Sequence, residues 1–176
     1  MLIYTRIVLK ECRKKTKELT RDYVKGLLPE RMEDSNKATF GSVLNVSGSV
    51  NYRGAACLSS LSALKVGAGY VTLACPEIVA SCVTSFSPDI VIIPLLSSDG
   101  CIAEEEHKKI ASIIDKYSVL SIGCGLSSIF GVRKSIRSFF FNVIASVSPL
   151  EMPVIIDADG LNLLAELPQV ALPRHS

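Results

Sequence analysis

The sequence predicts an α/β protein in which a mostly parallel sheet is flanked by helices on both faces. Short apolar runs rich in β-branched residues, the first at residues 43–46, alternate with longer segments whose apolar residues recur every three or four positions. Strands that alternate with helices in this way are typical of a parallel sheet. The chain has 176 residues, 48% of them hydrophobic, which is enough to bury the core that such a sheet needs.

The clearest strand–helix–strand unit lies at residues 40–76. A strand at 43–46 gives way to a polar loop at 47–53, a helix follows over 54–66, and a second strand starts at Tyr70 and stops at Pro76. The apolar residues of the helix are spaced for one face, formed by Cys57, Leu61, Leu64 and Ala68.

The start of this helix is a candidate anion site. Backbone N–H groups point outward there, and Gly54 and Ala55 add no bulk, so a phosphate could approach closely. The alternative is that these small residues only let the helix pack tightly on the sheet. The loop is not a P-loop, because no Lys-Ser or Lys-Thr pair follows Gly54. It is not a dinucleotide-binding fingerprint either, because the triplet at 67–69 ends a helix instead of opening one.

Other elements complete the alternation. A short helix with Thr20 as N-cap precedes the sheet and ends at Pro29. The remaining predictions are a helix at 77–85 with Ile78, Val79, Cys82 and Val83 buried, a buried strand at 89–94, an amphipathic helix at 103–117, a strand at 119–122, a helix at 129–143, a strand at 154–156 and a short helix at 161–165.

Two more turns follow strand ends. In the first, Gly123 and Gly125 leave a strand and precede a helix, which indicates either a second anion-binding turn or a tight connection. In the second, Asp157 and Asp159 follow a buried strand, where ligands bind in open α/β sheets. These carboxylates suit a ribose hydroxyl, a water-bound Mg²⁺ or a helix cap.

Composition narrows the classes of partner. Lys and Arg total 19 and Asp and Glu 17, a net charge of +2, so no nucleic-acid partner is predicted. Residues 10–17 are basic, which is typical of a solvated helix face or an unstructured arm. The apolar stretch at 1–9 is too short for a membrane span and has the wrong charge order for a signal peptide, so no membrane partner is predicted.

Cysteine usage indicates a cytoplasmic protein. The six cysteines form no Cys-x-x-Cys pair and two histidines are present, so no metal site is predicted. Several cysteines lie inside apolar segments, where the thiol behaves as a small buried hydrophobe in a reducing compartment.

Taken together, the strand-end turns resemble those of the ADP- or ATP-dependent NAD(P)H-hydrate dehydratases, which have the ribokinase-like fold. The resemblance covers residue 19 to the C-terminus. The segments that carry it are Asn-Lys-Ala-Thr-Phe-Gly at 36–41, Gly-Ser at 48–49 with Gly-Ala-Ala at 54–56, Ala-Leu-Lys-Val-Gly-Ala-Gly at 63–69, Gly-Cys-Gly-Leu at 123–126 and Asp-Ala-Asp-Gly-Leu-Asn at 157–162.

This resemblance implies an enzyme that dehydrates the S form of hydrated NADH or NADPH, with ADP or ATP as co-substrate and Mg²⁺. It also implies a homo-oligomer, and a ribokinase-like domain at 19–176 preceded by a basic arm at 1–18. The implied substrate-binding residues are Gly54, Ala55, Gly123, Gly125, Asp157 and Asn162.

The sequence departs from the family pattern at several points. Cys124 stands where the family usually has proline, and Gly160 replaces a common alanine. The Pro-His-x-Gly-Glu and Gly-Thr-Gly-Asp segments of the family have no counterpart before Ser176, and His175 lacks the following Gly-Glu. We therefore expect a C-terminally truncated chain that is incomplete for catalysis, with the family's catalytic aspartate beyond Ser176. The alternatives are a small-molecule kinase of the same superfamily and a non-catalytic binding protein.

Overall fold

A computed structural model of the protein describes residues 18–30, 32–127, 133–147, 150 and 152–166. The chain divides into two compact units, Met1–Asp34 and Ser35–Ser176. In the first unit, helix α1 (Arg21–Leu27) begins after Thr20, whose hydroxyl oxygen accepts a hydrogen bond from the Tyr23 amide at 3.2 Å. The predicted N-cap is therefore confirmed, whereas the proposed basic arm lies outside the described residues except for Glu18.

The second unit is built on a five-stranded parallel sheet, which confirms the predicted fold class. Its strand order is β3-β2-β1-β6-β7. The elements are β1 (Ser42–Val46), α2 (Arg53–Lys65), β2 (Tyr70–Pro76), α3 (Glu77–Phe86), β3 (Val91–Leu95), β4 (Ser97–Ser98), β5 (Cys101–Ile102), α4 (His107–Ala111), β6 (Val119–Ile122), α5 (Arg133–Val147), β7 (Val154–Ile156) and α6 (Asp159–Leu164).

The chain changes direction across the sheet between β1 and β6. From β1 it moves outward through β2 to β3, and it then returns to the other side of β1 and moves outward again through β6 to β7. Crevices for ligands form at such a switch point, beyond the carboxyl ends of the strands. The turns after β1 and β6 flank this position.

Helices cover both faces of the sheet. On one face, Phe139, Phe140 and their neighbours on α5 pack against the strands and form the larger core. On the other face, Ala56 of α2 and Val79 and Val83 of α3 pack against Leu73 of β2. The predicted stripe of α2 is only partly buried, because the small residues Ala56 and Ser60 make the closest approach to the sheet.

A polar side chain stands in the middle of the central strand. Asn45 of β1 is 2% exposed, and its amide nitrogen donates hydrogen bonds to the hydroxyls of Ser59 at 2.8 Å and Ser60 at 2.9 Å. Ser59 in turn donates to the Ala55 carbonyl at 2.8 Å. This chain of hydrogen bonds ties β1 to the first turns of α2.

Two sequence predictions were wrong in detail, and one element was not predicted. The strand predicted as buried is the edge strand β3, where Val91 is 52% exposed. Pro94 has no N–H to donate, which suits an edge position. On α3, Ile78 is exposed, whereas Val79 and Val83 are buried as predicted. The small hairpin formed by β4 and β5 was not predicted.

The amphipathic helix predicted at 103–117 is not continuous. The segment forms a 3₁₀ turn at Glu104–Glu106, helix α4 and a second 3₁₀ turn at Ile114–Lys116. Ile110 and Ile114 are nevertheless buried as predicted. A segment this short depends on tertiary packing for its helicity, and packing the apolar stripe does not require unbroken helical hydrogen bonding. Of the helix predicted at 129–143, residues 129–132 lie outside the described residues.

Candidate functional site

The three predicted turns lie side by side at one edge of the sheet. β1, β6 and β7 are neighbours, and their last residues are in register, Val46 with Ile122 and Ile122 with Ile156. The turns are joined through the backbone, since Gly48 donates a hydrogen bond to the Cys124 carbonyl at 2.9 Å. The predicted placement of all three strand ends at one edge of the sheet is confirmed.

The turn at residues 123–127, which follows β6 and is called the glycine turn below, packs against the start of α2 at Gly125. A Cβ atom on Gly125 would lie 2.7 Å from Tyr52 Cβ and 2.9 Å from Ala55 Cβ. Both distances are shorter than an ordinary carbon–carbon contact. Any side chain at position 125 would therefore force the turn and the helix apart, and only glycine fits there. Ala55 and Gly125 therefore belong to one site.

Gly123 makes the corresponding approach to the third turn. A Cβ atom on Gly123 would collide with the Asp157 carbonyl oxygen and lie 2.9 Å from the Gly160 nitrogen. Gly160 is itself closely packed, since a Cβ there would lie 2.8 Å from Ile156 Cγ2 and 3.2 Å from Gly123 Cα. The two glycines therefore let the turns after β6 and β7 pack without intervening side chains.

The backbone of the glycine turn has an unusual conformation. The φ angles of Gly123, Gly125 and Ser127 are 129°, 67° and 65°, so left-handed residues alternate with Cys124 and Leu126, whose φ angles are negative. Three N–H groups of this turn are used within the protein, because Gly123 donates to the Val46 carbonyl, Leu126 to the Gly123 carbonyl and Ser127 to the Asp159 carboxylate. The amides of Cys124 and Gly125 are therefore the candidates for contact with an anion.

The two carboxylates face the glycine turn. Asp159 accepts a hydrogen bond from the Ser127 backbone N–H at 2.9 Å, and the Cys124 thiol donates to Asp157 Oδ2 at 3.7 Å. The N-cap residue of α6 is Ala158, at φ 49° and ψ −117°, whose side chain makes no cap hydrogen bond. The observed contacts of both carboxylates are with the turn after β6.

Cys124 is held as a thiol. Burial raises its pKa, and the neighbouring Asp157 carboxylate raises it further. A thiolate is the reactive form of cysteine, so Cys124 is a poor nucleophile at neutral pH and acts here as a weak hydrogen-bond donor.

The remaining predicted residues are exposed at the starts of helices. Gly54 lies in the first turn of α2, and a Cβ atom there would have no neighbour within 4 Å. Asn162 lies in α6, where its amide donates to the Ala158 carbonyl at 3.1 Å. The structure thus brings Ala55, Gly123 and Gly125 together with Asp157, while Gly54 and Asn162 are exposed on α2 and α6.

Several residues near the crevice were not singled out from the sequence. The hydroxyls of Ser47, Ser49 and Ser127 are buried and have no hydrogen-bond partner in the described part of the protein. The loop that contains Ser49 is held by the unpredicted hairpin, because the Val50 amide donates to the Gly100 carbonyl at 2.8 Å. The Asp-Gly pair at 99–100 between two short strands is a hairpin signal that the sequence did contain.

Among the described residues, no group of three or more His, Cys, Asp or Glu side chains is placed to hold a metal ion. In the same part of the chain, no helix has the length and apolar character needed to cross a membrane.

A parallel sheet with helices on both faces defines an α/β protein, and the solved structures that superimpose on it have the ribokinase-like fold. A solved ribokinase-like superfamily protein from Enterococcus faecalis superimposes with a TM-score of 0.71 at 21% identity, over 88% of this chain and 49% of that chain. The ADP/ATP-dependent NAD(P)H-hydrate dehydratase from Bacillus subtilis, co-crystallised with ATP and Mg²⁺, superimposes with a TM-score of 0.61 at 29% identity, over 81% of this chain and 46% of that chain.

The sequence comparisons identify the family within this class. Residues 43–176 match the model of the NAD(P)H-hydrate dehydratase family, and the chain belongs to that family. The bifunctional NAD(P)H-hydrate repair enzyme Nnr of Dictyoglomus turgidum is 34% identical over 85% of this chain and 27% of its own length. The ATP-dependent (S)-NAD(P)H-hydrate dehydratase of Drosophila melanogaster is 31% identical over 80% of this chain and 44% of its own length. The chain therefore spans less than half the length of these two relatives.

Proposed function

We propose that the crevice at the switch point binds the S form of hydrated NADH or NADPH, and that this chain forms the dinucleotide-binding part of an ADP- or ATP-dependent dehydratase. The observation that supports this most directly is the contact of Gly125 with Ala55 and Tyr52, which places the glycine turn against the N-terminus of α2. Backbone N–H groups from both elements then face a single bound molecule.

The pyrophosphate of the dinucleotide is the natural ligand of these amides. The N-terminus of α2 has a partial positive charge, and in the glycine turn the amides of Cys124 and Gly125 are the candidate donors to the same ligand, since those of Gly123, Leu126 and Ser127 donate within the protein. Asp157 suits a ribose hydroxyl, because a carboxylate accepts hydrogen bonds from such groups. The proposal assigns Gly54 and Asn162, both exposed, to contacts with the outer part of the ligand.

The reaction itself needs a nucleotide. Transfer of the terminal phosphoryl group of ADP or ATP to the hydroxyl of the hydrated ring makes that oxygen a good leaving group. Loss of inorganic phosphate together with a ring proton then restores the dihydronicotinamide of NADH or NADPH. Mg²⁺ commonly binds through phosphate oxygens with one or two carboxylates, and Asp157 or Asp159 could supply that share. We assign no catalytic base to the described residues.

The cellular compartment, the assembly and the partners are part of the same proposal. We place the protein in the cytoplasm as a homo-oligomer that interacts with hydrated dinucleotide and adenine nucleotide, with no nucleic-acid or membrane partner. Five described cysteines are free thiols, which is consistent with a reducing compartment.

Calorimetric titration with S-NADPH hydrate tests the binding proposal. Asp157→Asn should weaken binding about tenfold, because asparagine keeps a neutral acceptor oxygen and loses only the roughly 1–1.5 kcal/mol by which a hydrogen bond to a charged acceptor exceeds one to a neutral acceptor. Asp89→Asn is the matched control, since Asp89 precedes β3 and lies near the opposite edge of the sheet. Equal affinities of the two variants would contradict the proposed site.

A turnover assay tests the chemistry separately. The chain is incubated with S-NADHX, Mg²⁺ and ADP or ATP while NADH absorbance is followed. We expect binding without rapid turnover. Rapid formation of NADH would show that the catalytic groups are among the residues of this chain, whereas a phosphorylated product without NADH would indicate a kinase.

A further inference from the structure

Arg53, the first residue of α2, is held in place and yet only partly used. Its side chain is half-buried, and its Nε donates a hydrogen bond to the Val50 carbonyl at 3.0 Å. Within the described part of the chain, its two terminal nitrogens make no hydrogen bond and no ion pair. The crevice carboxylates Asp157 and Asp159 are bonded to the glycine turn instead. The guanidinium therefore keeps donors that the protein itself does not use.

The charge of Arg53 is unfavourable for the helix that it begins. A cation is disfavoured at the N-terminus of a helix, which is the positive end of the helix dipole. The first turn of α2 contains no acidic residue, and its N-cap residue, Tyr52, makes no side-chain cap hydrogen bond. Helix α1 has the ordinary arrangement, since the Thr20 hydroxyl caps it and Asp22 lies in its first turn. The start of α2 thus has an excess of positive charge that its own sequence does not balance.

Arg53 also lies at the edge of the sheet where the proposed ligand binds. Residues 47–52 join the carboxyl end of β1 to α2. Two residues after Arg53, Ala55 lies against the glycine turn, since a Cβ atom on Gly125 would be 2.9 Å from Ala55 Cβ. Arg53 and this contact are therefore within one turn of the same helix. In the connecting loop, Ser49 has a buried hydroxyl with no hydrogen-bond partner among the described residues, so the loop holds a second donor without an acceptor.

We propose that Arg53 binds a phosphate group of the hydrated dinucleotide through its terminal nitrogens, an inference that rests on the proposed function of the crevice. A phosphate supplies the negative charge that the start of α2 lacks, and its oxygens match the paired N–H groups of a guanidinium. Two phosphate positions qualify. The pyrophosphate is common to hydrated NADH and hydrated NADPH, whereas the 2′-phosphate belongs to hydrated NADPH alone. Arg53 accordingly sets the affinity for both substrates or selects the second.

Calorimetric titration of Arg53→Gln with the S hydrates of NADH and NADPH measures this contact. Loss of the charged donors should weaken binding about 10- to 100-fold. A loss with both hydrates would place the guanidinium at the pyrophosphate, and a loss with hydrated NADPH alone would place it at the 2′-phosphate. Arg53→Lys keeps the charge without the paired N–H groups, so its affinity should lie between those of Arg53→Gln and the unsubstituted chain.

Arg21→Gln is the matched control. Arg21 is also the first residue of a helix, but α1 has its own cap and acidic residue, so this variant should bind both hydrates as the unsubstituted chain does. Melting temperatures without ligand test for a purely structural role of Arg53. Arg53→Gln should change the melting temperature by less than about 2 °C, because loss of the bond to Val50 is offset by removal of a cation from the helix N-terminus. A large fall in melting temperature with unchanged affinities would overturn the inference.

Inorganic pyrophosphate separates this inference from the proposed function. Binding of pyrophosphate that is weakened in Arg53→Gln, with no binding of either hydrate, would reject the proposed function and leave the phosphate contact standing. Equal affinities of Arg53→Gln and the unsubstituted chain for both hydrates would overturn the inference while the proposed function stands. If neither the hydrates nor pyrophosphate bind to the unsubstituted chain, both are rejected.

Discussion

Replacing Gly125 by alanine tests the central contact of the site. Gly125 has a φ angle of 67°, and an L-residue in this left-handed region costs about 1–2 kcal/mol. Its new Cβ would also lie 2.7 Å from Tyr52 Cβ and 2.9 Å from Ala55 Cβ. Relief of that overlap requires the turn or the start of α2 to move, and overpacking of this kind costs about 1–3 kcal/mol. The free energy of unfolding should therefore fall by about 2–5 kcal/mol in Gly125→Ala.

Gly54→Ala is the control for this stability measurement. Gly54 lies in the first turn of α2, has no positive φ angle and has open space where a Cβ would stand. Alanine is the better helix former, so this variant should be unchanged or stabilised by up to about 1 kcal/mol. Both substitutions restrict the unfolded chain equally, so the difference between the variants reports on the native state.

Urea denaturation followed by circular dichroism measures both variants. A difference of less than about 0.5 kcal/mol between Gly125→Ala and Gly54→Ala would refute the reasoning, because a turn packed on α2 cannot accept the extra methyl group at so small a cost. The same Gly125→Ala protein should bind S-NADPH hydrate more weakly, since its turn has been pushed away from α2.

Further predictions concern the polar and thiol groups. Asn45→Ala should lower the free energy of unfolding by about 2–4 kcal/mol in urea, because two buried hydrogen bonds are lost and a cavity is left. Asp159→Ala should destabilise the glycine turn and weaken dinucleotide binding by removing the acceptor of the Ser127 amide, whereas Asp159→Asn keeps an acceptor oxygen and should be intermediate. Burial raises the pKa of Cys75 from 9.0 to about 12. Between pH 9 and 12 the thiol therefore ionises in the unfolded chain but not in the folded one, and the free energy of unfolding should fall by about 1.4 kcal/mol per pH unit, with no contribution from this thiol below pH 9. Subtracting the pH profile of Cys75→Ala isolates this loss.

The sequence predicted the arrangement of the site well because that arrangement follows from topology. Apolar runs and glycine turns identify β1, β6 and β7, and parallel strands necessarily place their carboxyl ends at one edge. The close approach of Gly125 to Ala55 then follows from the absence of a side chain at one position and a single methyl group at the other. The roles of these residues in binding stay a prediction until a ligand is measured.

The hydrogen-bond partners of the carboxylates and the interruption of one helix depend on tertiary contacts, which the local sequence pattern does not predict. Asp157 and Asp159 lie at the start of a helix, which favours capping, yet Asp159 accepts a hydrogen bond from the Ser127 amide in the turn after β6. The partners of such a carboxylate are decided by which turn folds against it. In the same way, the apolar spacing at 103–117 correctly predicted the burial of Ile110 and Ile114 but not the interruption of the helix between them.

The backbone strain at this edge of the sheet supports a functional interpretation. Ser127 and Ala158 are non-glycine residues with φ angles of 65° and 49°, conformations that cost energy and persist only where the surrounding structure enforces them. Both lie in turns that surround the proposed ligand, and Ser127 is fixed through the carboxylate of Asp159, the residue after Ala158. A connection that served packing alone could relax by substituting glycine at either position. The retained strain instead keeps the Ser127 amide and the Asp159 carboxylate in fixed orientations, and a preorganised site for a charged dinucleotide requires such groups to be in place before the ligand arrives.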